Sequence, residues 1–390
     1  MIRTLKLTVL VILFSFIAEY GYSQQPSLTG ANVISTGVPF LTIAPDSRAS
    51  GMGDAGVATS PDVNSQHWNP AKYAFIDGNG GLGIAYSPWL RSLVPDISLA
   101  NLAGYYRIDS RQVLAGSLMY SSLGYIEFTD EYGNYIRSYK PNEFSVDAAY
   151  SRLFSKNWSG GVAMRFIYSN LTGNQVVNET ATKAGTAFAA DASAYYTTPI
   201  KLGEKAGTIS AGVNLSNIGS KMNYTEDDDP FFIPMNMRLG TTMTVNLDRY
   251  NSLGFLVDFN KLLVPTPPIY DTDGTTILKG KDPNVSVPVA IFQSFYDAPY
   301  GFWEEIREVM FSIGVEYWYN QQFSLRTGYF NEAEIKGNRK YFTAGVGFRL
   351  NVFTIDFSYL IPLTQNNPMA NTMRFSLGFE FDSLRNVSKK

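Results

Sequence analysis

Met373-Arg374-Phe375-Ser376-Leu377-Gly378-Phe379-Glu380-Phe381 decides the fold. Its odd-numbered residues are all apolar, and Arg374, Ser376, Gly378 and Glu380 stand between them. Side chains of a strand point alternately to opposite faces, so this stretch is half apolar wall and half wet surface. Working back along the chain, fourteen stretches carry that period. They fall near 80–90, 97–107, 112–124, 142–154, 157–169, 185–198, 206–217, 232–246, 250–262, 308–319, 321–331, 339–350, 351–360 and 370–382. Phe144, Val146, Ala148 and Tyr150 oppose Ser145, Asp147, Ala149 and Ser151. Met235, Met237, Leu239 and Met243 oppose Asn236, Arg238, Gly240 and Thr242, and Phe311, Ile313, Val315 and Tyr317 oppose Ser312, Gly314 and Glu316. The stretch Ile97 to Arg107 is the least regular.

The gaps between stretches decide the topology. Short turns at 108–111, 155–157, 199–205, 247–250, 320–321 and around 350–351 alternate with long connections at 125–141, 170–184, 218–231, 263–309, 331–338 and 362–370. Outer-membrane barrels have this asymmetry, with short periplasmic turns and long external loops. The 25 Tyr and 26 Phe fall often at strand ends, where amphipathic rings prefer the headgroup region. We therefore expect an all-β fold, a fourteen-stranded antiparallel transmembrane β-barrel over residues 78–390. An even strand number returns both ends of the barrel to the periplasm. Mean hydropathy near zero suits such a barrel, since half of each strand faces water.

The N-terminus sets the compartment. Arg3 and Lys6 precede an apolar run from Leu7 to Ala18, and Gly21 and Ser23 supply small residues before Gln24. This predicts a signal peptide, residues 1–23, too short to anchor in a bilayer. With no cysteine there is neither a lipid-modified cysteine nor a disulfide framework, and the net charge of −3 gives no reason to expect a nucleic-acid partner.

A fourteen-stranded barrel is too wide for its own side chains to fill, since about eight strands already reach that limit. Residues 24–77 lack alternation and are broken by Pro26, Pro39, Pro45, Pro61 and Pro70. We expect them to form an N-terminal hatch in the lumen. Gly51-Met52-Gly53-Asp54-Ala55-Gly56 has the glycine spacing of a dinucleotide-binding turn. It follows no buried strand and opens no βαβ unit, so close backbone packing is the better reading. His67 is the sole histidine, which rules out a multi-histidine metal site within one chain. Glu226-Asp227-Asp228-Asp229 reads as a solvated turn with calcium binding as the lesser alternative. Asp271-Thr272-Asp273-Gly274 begins like a calcium loop, but its glycine comes too early and Asp282 stands where a bidentate glutamate belongs. Neither a catalytic residue, nor a cofactor, nor a resident metal is expected.

Phe40-Leu41-Thr42-Ile43-Ala44-Pro45-Asp46-Ser47-Arg48-Ala49-Ser50-Gly51-Met52-Gly53, followed by Trp68-Asn69-Pro70-Ala71, carries a resemblance. Pro45, Asp46, Arg48, Gly51, Gly53, Asn69, Pro70 and Ala71 form the motif. An Asn-Pro-Ala hatch ahead of fourteen strands resembles the FadL family of outer-membrane importers of hydrophobic molecules. The longer pattern is more similar to the FadL-like PorV (LptO) family of the type IX secretion system, over essentially the whole chain after residue 23. That resemblance implies a shuttle without catalysis. Such a shuttle takes secreted cargo by its C-terminal signal domain from an SprA-type translocon. It then delivers the cargo to a surface sortase (attachment) complex, which joins it to lipopolysaccharide. The implied location is the outer membrane, in contact with lipid and lipopolysaccharide.

Two connections are candidates for docking. The longest, 263–309, is stiffened by Pro265, Pro267, Pro268, Pro283 and Pro288 and carries Phe292, Phe295, Tyr296, Tyr300, Phe302 and Trp303. Restrained aromatic loops bury area at modest entropic cost. The other is 87–95, with Trp89, Leu90, Leu93 and Val94. Both could instead fold over the barrel mouth. A FadL-type channel for hydrophobic small molecules is the competing function, with strand glycines such as Gly160 and Gly161 as places for a wall opening. A nonspecific porin is disfavoured by the hatch.

Overall fold

The period-two pattern becomes a ring. A computed structural model describes residues 31–381 except 91–93, 95, 130–131, 174–175, 178–179, 226–228, 364–368 and 371. The expected signal peptide and residues 24–30 of the expected hatch lie outside them. Fourteen strands pair antiparallel with their chain neighbours: β1 Gly80–Pro88, β2 Ile97–Arg107, β3 Gln112–Leu123, β4 Asn142–Leu153, β5 Trp158–Asn170, β6 Gly185–Leu202, β7 Lys205–Gly219, β8 Asn236–Asn246, β9 Asn251–Leu262, β10 Met310–Tyr319, β11 Phe323–Asn331, β12 Lys340–Leu350, β13 Phe353–Pro362 and β14 Met373–Glu380. β14 closes the ring on β1, with Gly81 opposite Glu380 and Tyr86 opposite Phe375. Closure leaves no sheet edge with unpaired backbone groups, which a bilayer would penalise. Among the described residues no helix is long and apolar enough to cross a membrane.

The two faces divide by residue type. On β4 the buried side chains are Glu143, Ser145, Asp147, Ala149 and Ser151, while Val146 lies 47% exposed on the outside. On β14, Arg374 and Ser376 are buried and Phe375 is exposed. Even β2 keeps the rule, with Leu99, Ala103 and Tyr105 inside and Leu102 and Tyr106 outside. The outside thus carries an apolar belt (Ile84, Val162, Met164, Phe188, Leu239, Phe255, Phe259, Ile313, Leu325, Phe342), far more than a water-soluble surface tolerates.

Several element boundaries differ from the pattern. β8 starts at Asn236 rather than 232 because Pro234 has no N–H for the ladder. Asn217 Nδ2 instead donates to the Pro234 carbonyl, 2.9 Å. Met235, expected on the outer face with Met237, is consequently turned inward and wholly buried. The β6–β7 hairpin runs on past the expected turn at Pro199, to Leu202 opposite Lys205, and reverses at Gly203 with φ +67°. The long connections fold further. Ile126–Thr129 pairs with Tyr135–Tyr139, Val176–Val177 with Thr180–Ala181, and Ile269–Tyr270 with Ile277–Lys279. The connections after β1 (89–96) and after β2 (108–111), and all later ones, keep the expected alternation of long and short.

The N-terminal segment consists of short pieces: a 3-10 turn Pro39–Thr42, α1 Ser47–Ser50, α2 Ser65–Trp68 and a 3-10 turn Pro70–Phe75. Its apolar residues Val38, Phe40 and Leu41 share a buried cluster with inward side chains of β2, β3, β5 and β6 (Leu99, Met119, Ile167, Ala187). Ile233, Met235, Leu263, Val264 and Ala290 join them from the long connections.

Candidate interaction site: the N-terminal motif and the long-loop face

Asp46 organises the first half of the motif. Held extended after the buried Pro45, it caps α1 through Oδ2, which accepts the Ala49 N–H at 2.9 Å. Its other oxygen accepts the Trp68 indole N–H at 2.6 Å, so one carboxylate ties α1 to α2. Arg48 reaches the wall. Its Nε and Nη2 donate to the two oxygens of Glu316 on β10, both at 2.9 Å, and Nη1 donates to Asp62 at 2.8 Å. Glu316 also accepts from Arg326 on β11, whose other arm donates to Asp356 on β13. This fork-to-fork pairing is the strong form of a charge-assisted bond. Ser47 N–H donates to Ser376 on β14, and the Ser50 hydroxyl pairs with that of Ser358 on β13.

The glycines serve close approach. A Cβ on Gly53 (φ +75°) would lie 2.8 Å from the Tyr329 carbonyl oxygen of β11, and one on Gly51 3.3 Å from the Cα of Gly345 on β12. No βαβ unit surrounds them. The backbone N–H groups of Gly56 and Val57 donate to Asp258 Oδ2 on β9, at 2.7 and 2.9 Å. At the second half of the motif, Asn69 Oδ1 accepts the Ala71 N–H while its Nδ2 donates to the carbonyls of Val57 and Ala194, all at 3.0 Å. Pro70 starts the 3-10 turn, where its missing N–H costs nothing. The Ala71 carbonyl accepts the hydroxyls of Ser159 on β5 and Ser151 on β4. His67 stacks edge-on against Trp68 at 4.8 Å and its carbonyl accepts from Arg238 on β8. Of the eight motif residues, Arg48, Asn69 and Ala71 bond the segment to opposite walls of the ring, Gly51 and Gly53 let its backbone lie against the wall, and Asp46 and Pro70 shape the segment itself. Glu316 and Asp258 hold it from the wall, Arg326 braces Glu316, and Asp54 of the segment itself accepts the Tyr341 hydroxyl of β12. For the three wall residues the sequence offered only the signal of charge on the inward face of a strand.

The candidate docking residues separate. Trp89 and Leu90 are half-buried against a cluster of Met310, Phe330, Tyr341, Leu360 and Met369, and the Arg374 guanidinium lies 5.3 Å from the Trp89 ring. Val94 is half-buried, and Leu93 lies outside the described residues. Of the candidate aromatic residues of 263–309, Phe292 lies in helix α3 Val287–Gln293, Phe302 and Trp303 lie in α4 Phe302–Arg307, and Phe295, Tyr296 and Tyr300 lie in the link between the two. One side of this connection is anchored, with Ala290 and Glu304 at most 1% exposed. The other presents Phe292 and Phe302 (each 71%), Tyr296 (58%) and Trp303 (57%). Lys281 sits 3.9 Å from the Tyr296 ring centre and Lys279 4.9 Å from that of Tyr300. Phe295, Phe302 and Ile306 also border a groove of about 280 Å³ with Met237, Leu239 and Phe259 of the outer wall.

Of the two acidic stretches considered for calcium, only the second is described throughout, and it is a turn. Glu226, Asp227 and Asp228 lie outside the described residues. Asp273 already accepts Thr275 and Thr276, and Asp282 accepts Asn284, as turn-forming side chains do. Inside the ring a cavity of about 340 Å³ lies under the long-loop end, bordered by Val33, Ile34, Asp54, Arg238, Glu308, Glu332, Lys336 and Arg339.

The sequence matches the family model for the type IX secretion system protein PorV over residues 27–269. Among solved structures, the toluene transporter TodX of Pseudomonas putida is similar at 11% identity and a TM-score of 0.47, covering 86% of this chain and 98% of that one. The toluene transporter TbuX of Ralstonia pickettii has 11% identity and a TM-score of 0.45, over 86% and 96%. A FadL homologue of Pseudomonas aeruginosa has 12% identity and a TM-score of 0.44, over 90% and 100%. No curated protein matches.

Proposed function

The chain belongs to the PorV family of type IX secretion system proteins, and on that premise we propose that it is a non-catalytic outer-membrane shuttle for secreted proteins. In this reading residues 24–77 are a hatch, and the long connections face the cell exterior. The long-loop face receives cargo by its C-terminal signal domain from an SprA-type translocon and hands it to a sortase (attachment) complex.

One observation carries the reading: the 263–309 connection is rigidly anchored on one side and displays Phe292, Tyr296, Phe302 and Trp303 on the other. Exposed aromatics on a braced frame are what a protein-binding hot spot needs, because little order remains to be imposed on binding. The position of Phe295 and Phe302 beside the outer wall would let a partner embedded in the same membrane reach them. Uptake of hydrophobic molecules is the second reading. The inner cavity sets Asp54, Arg238, Glu308, Glu332 and Arg339 among Val33, Ile34, Leu262, Met310 and Phe330, so an apolar occupant would find apolar wall but would lie against charged groups as well.

Affinity purification from membranes tests this. Recovery of a very large translocon barrel, or of secreted proteins sharing a C-terminal domain, is expected. A bound fatty acid or other apolar ligand with no protein partner, and a growth defect on that compound, would overturn the shuttle in favour of the channel.

A further inference from the structure

The anchored side of the 263–309 connection is held by charge. Glu304, Glu305 and Glu308 at the end of that connection, with Asp297 just before them, are each at most 8% exposed. Two cations face them. Lys261 on β9 donates to Glu305 at 3.2 Å and to Glu308 at 2.6 Å, and Lys336 donates to Glu304 at 2.6 Å and to Glu308 at 3.0 Å. Thr266 Oγ1 donates to Glu308 and Asn32 Nδ2 to Glu304. Four carboxylates against two ammonium groups leave two negative charges buried.

Asp297 holds the uncompensated share. Its Oδ2 accepts the Thr266 N–H at 3.1 Å, and among the described residues no cation pairs with it. Its Oδ1 is buried and has no hydrogen-bond partner at all, with the side chain 1% exposed. Burying a carboxylate oxygen without a donor or a cation is costly in an apolar setting, so a fold keeps it only when something else satisfies it. One oxygen from each of Asp297, Glu305 and Glu308 lies within 4.8 Å of the others, the spacing of ligands around a single ion.

We propose that Asp297, Glu305 and Glu308 bind a hard divalent cation, calcium foremost, which locks the 263–309 connection onto the rim of the barrel. The donor set is oxygen only, the choice of calcium and magnesium rather than zinc or copper. Calcium takes six to eight oxygens at flexible angles, so three carboxylates leave room for water and backbone carbonyls, whereas magnesium demands a stricter octahedron. A charge of +2 matches the two uncompensated negatives. Desolvation, opposed by the Thr266 N–H and reinforced by Glu305 and Glu308, pushes the Asp297 carboxyl up to about 6. This site concerns the frame beneath Phe292–Trp303 and stands whether or not those residues bind cargo.

The test is calorimetric titration of calcium chloride into full-length, chelator-treated protein in detergent. The wild type should bind one calcium saturably, and Asp297→Asn, which keeps the acceptor for Thr266, should weaken binding at least tenfold while retaining the heat-modifiable mobility of a folded barrel. Absence of saturable binding in the wild type, or equal binding in the variant, overturns the site. Should the variant fail to assemble, anomalous scattering from wild-type crystals soaked in a lanthanide decides. A peak between Asp297, Glu305 and Glu308 is expected, and peaks only elsewhere refute it.

Discussion

Replacing Arg48 by Met should loosen the N-terminal segment without opening the barrel. Arg48 donates to Glu316 through two arms, to Asp62 at 2.8 Å, and to the Ser60 carbonyl and hydroxyl at 3.1 and 2.7 Å. Methionine keeps much of the volume and loses all five bonds. Glu316 retains Arg326, so the uncompensated charge falls chiefly on Asp62. Breaking a buried ion pair from one side costs about 3–5 kcal/mol, and the retained Arg326 pair places this case near the lower end. The cost falls on seating the segment, because the strands keep every backbone bond. Urea titration followed by protease cleavage of the segment should therefore show release at lower denaturant in Arg48→Met, with the electrophoretic mobility of the folded barrel unchanged. Arg48→Lys keeps the charge but not the planar fork and should fall between the two. Equal release in wild type and Arg48→Met would refute the view that this network seats the segment.

Phe375, 49% exposed on the outer face, should cost about 2–4 kcal/mol when changed to Arg if it lies near the bilayer midplane, read by folding into vesicles. Lipid-soluble labels reaching 374 better than 375 would overturn the register. Gly328→Ala would put a Cβ 2.1 Å from the Met52 carbonyl carbon and should cost about 1–3 kcal/mol of segment seating. Gly254→Ala meets nothing closer than 3.5 Å and should be silent in the same release assay. With chelator present, Asp297 binds its proton more tightly folded (about 6) than at its ordinary value of 3.8. Stability of the 263–309 connection should therefore fall as pH rises from about 4 through 6 and stay low above it. Limited proteolysis across that range checks the sign, and protection that increases with pH contradicts it.

How much of this was legible depended on the range of the interaction. Period two in Met373–Phe381 is local and survives into the structure, so strand number, facing and the alternation of connections could be read directly. Met235 could not, because its inward turn depends on Pro234 meeting Asn217 across a neighbouring strand. The charged ties Arg48–Glu316 and Gly56–Asp258 join residues 268 and 202 positions apart. Which inward charges meet across a lumen depends on strand tilt and stagger, which alternation does not encode. Trp89 reads as an external apolar residue until the Met310–Tyr341 cluster is seen beside it. In 263–309 the aromatic residues are conspicuous, while the acids at 297, 304, 305 and 308 gain meaning only from Lys261 and Lys336.

The most direct measurement is photo-crosslinking in living cells from single positions on the barrel. A crosslinker at Phe302 or Trp303 should capture a secreted protein through its C-terminal domain, and one at Leu325, on the lipid-facing belt at the short-turn half of β11, should capture none. Adducts to lipid alone from 302 and 303, in cells that are secreting cargo, would contradict the account.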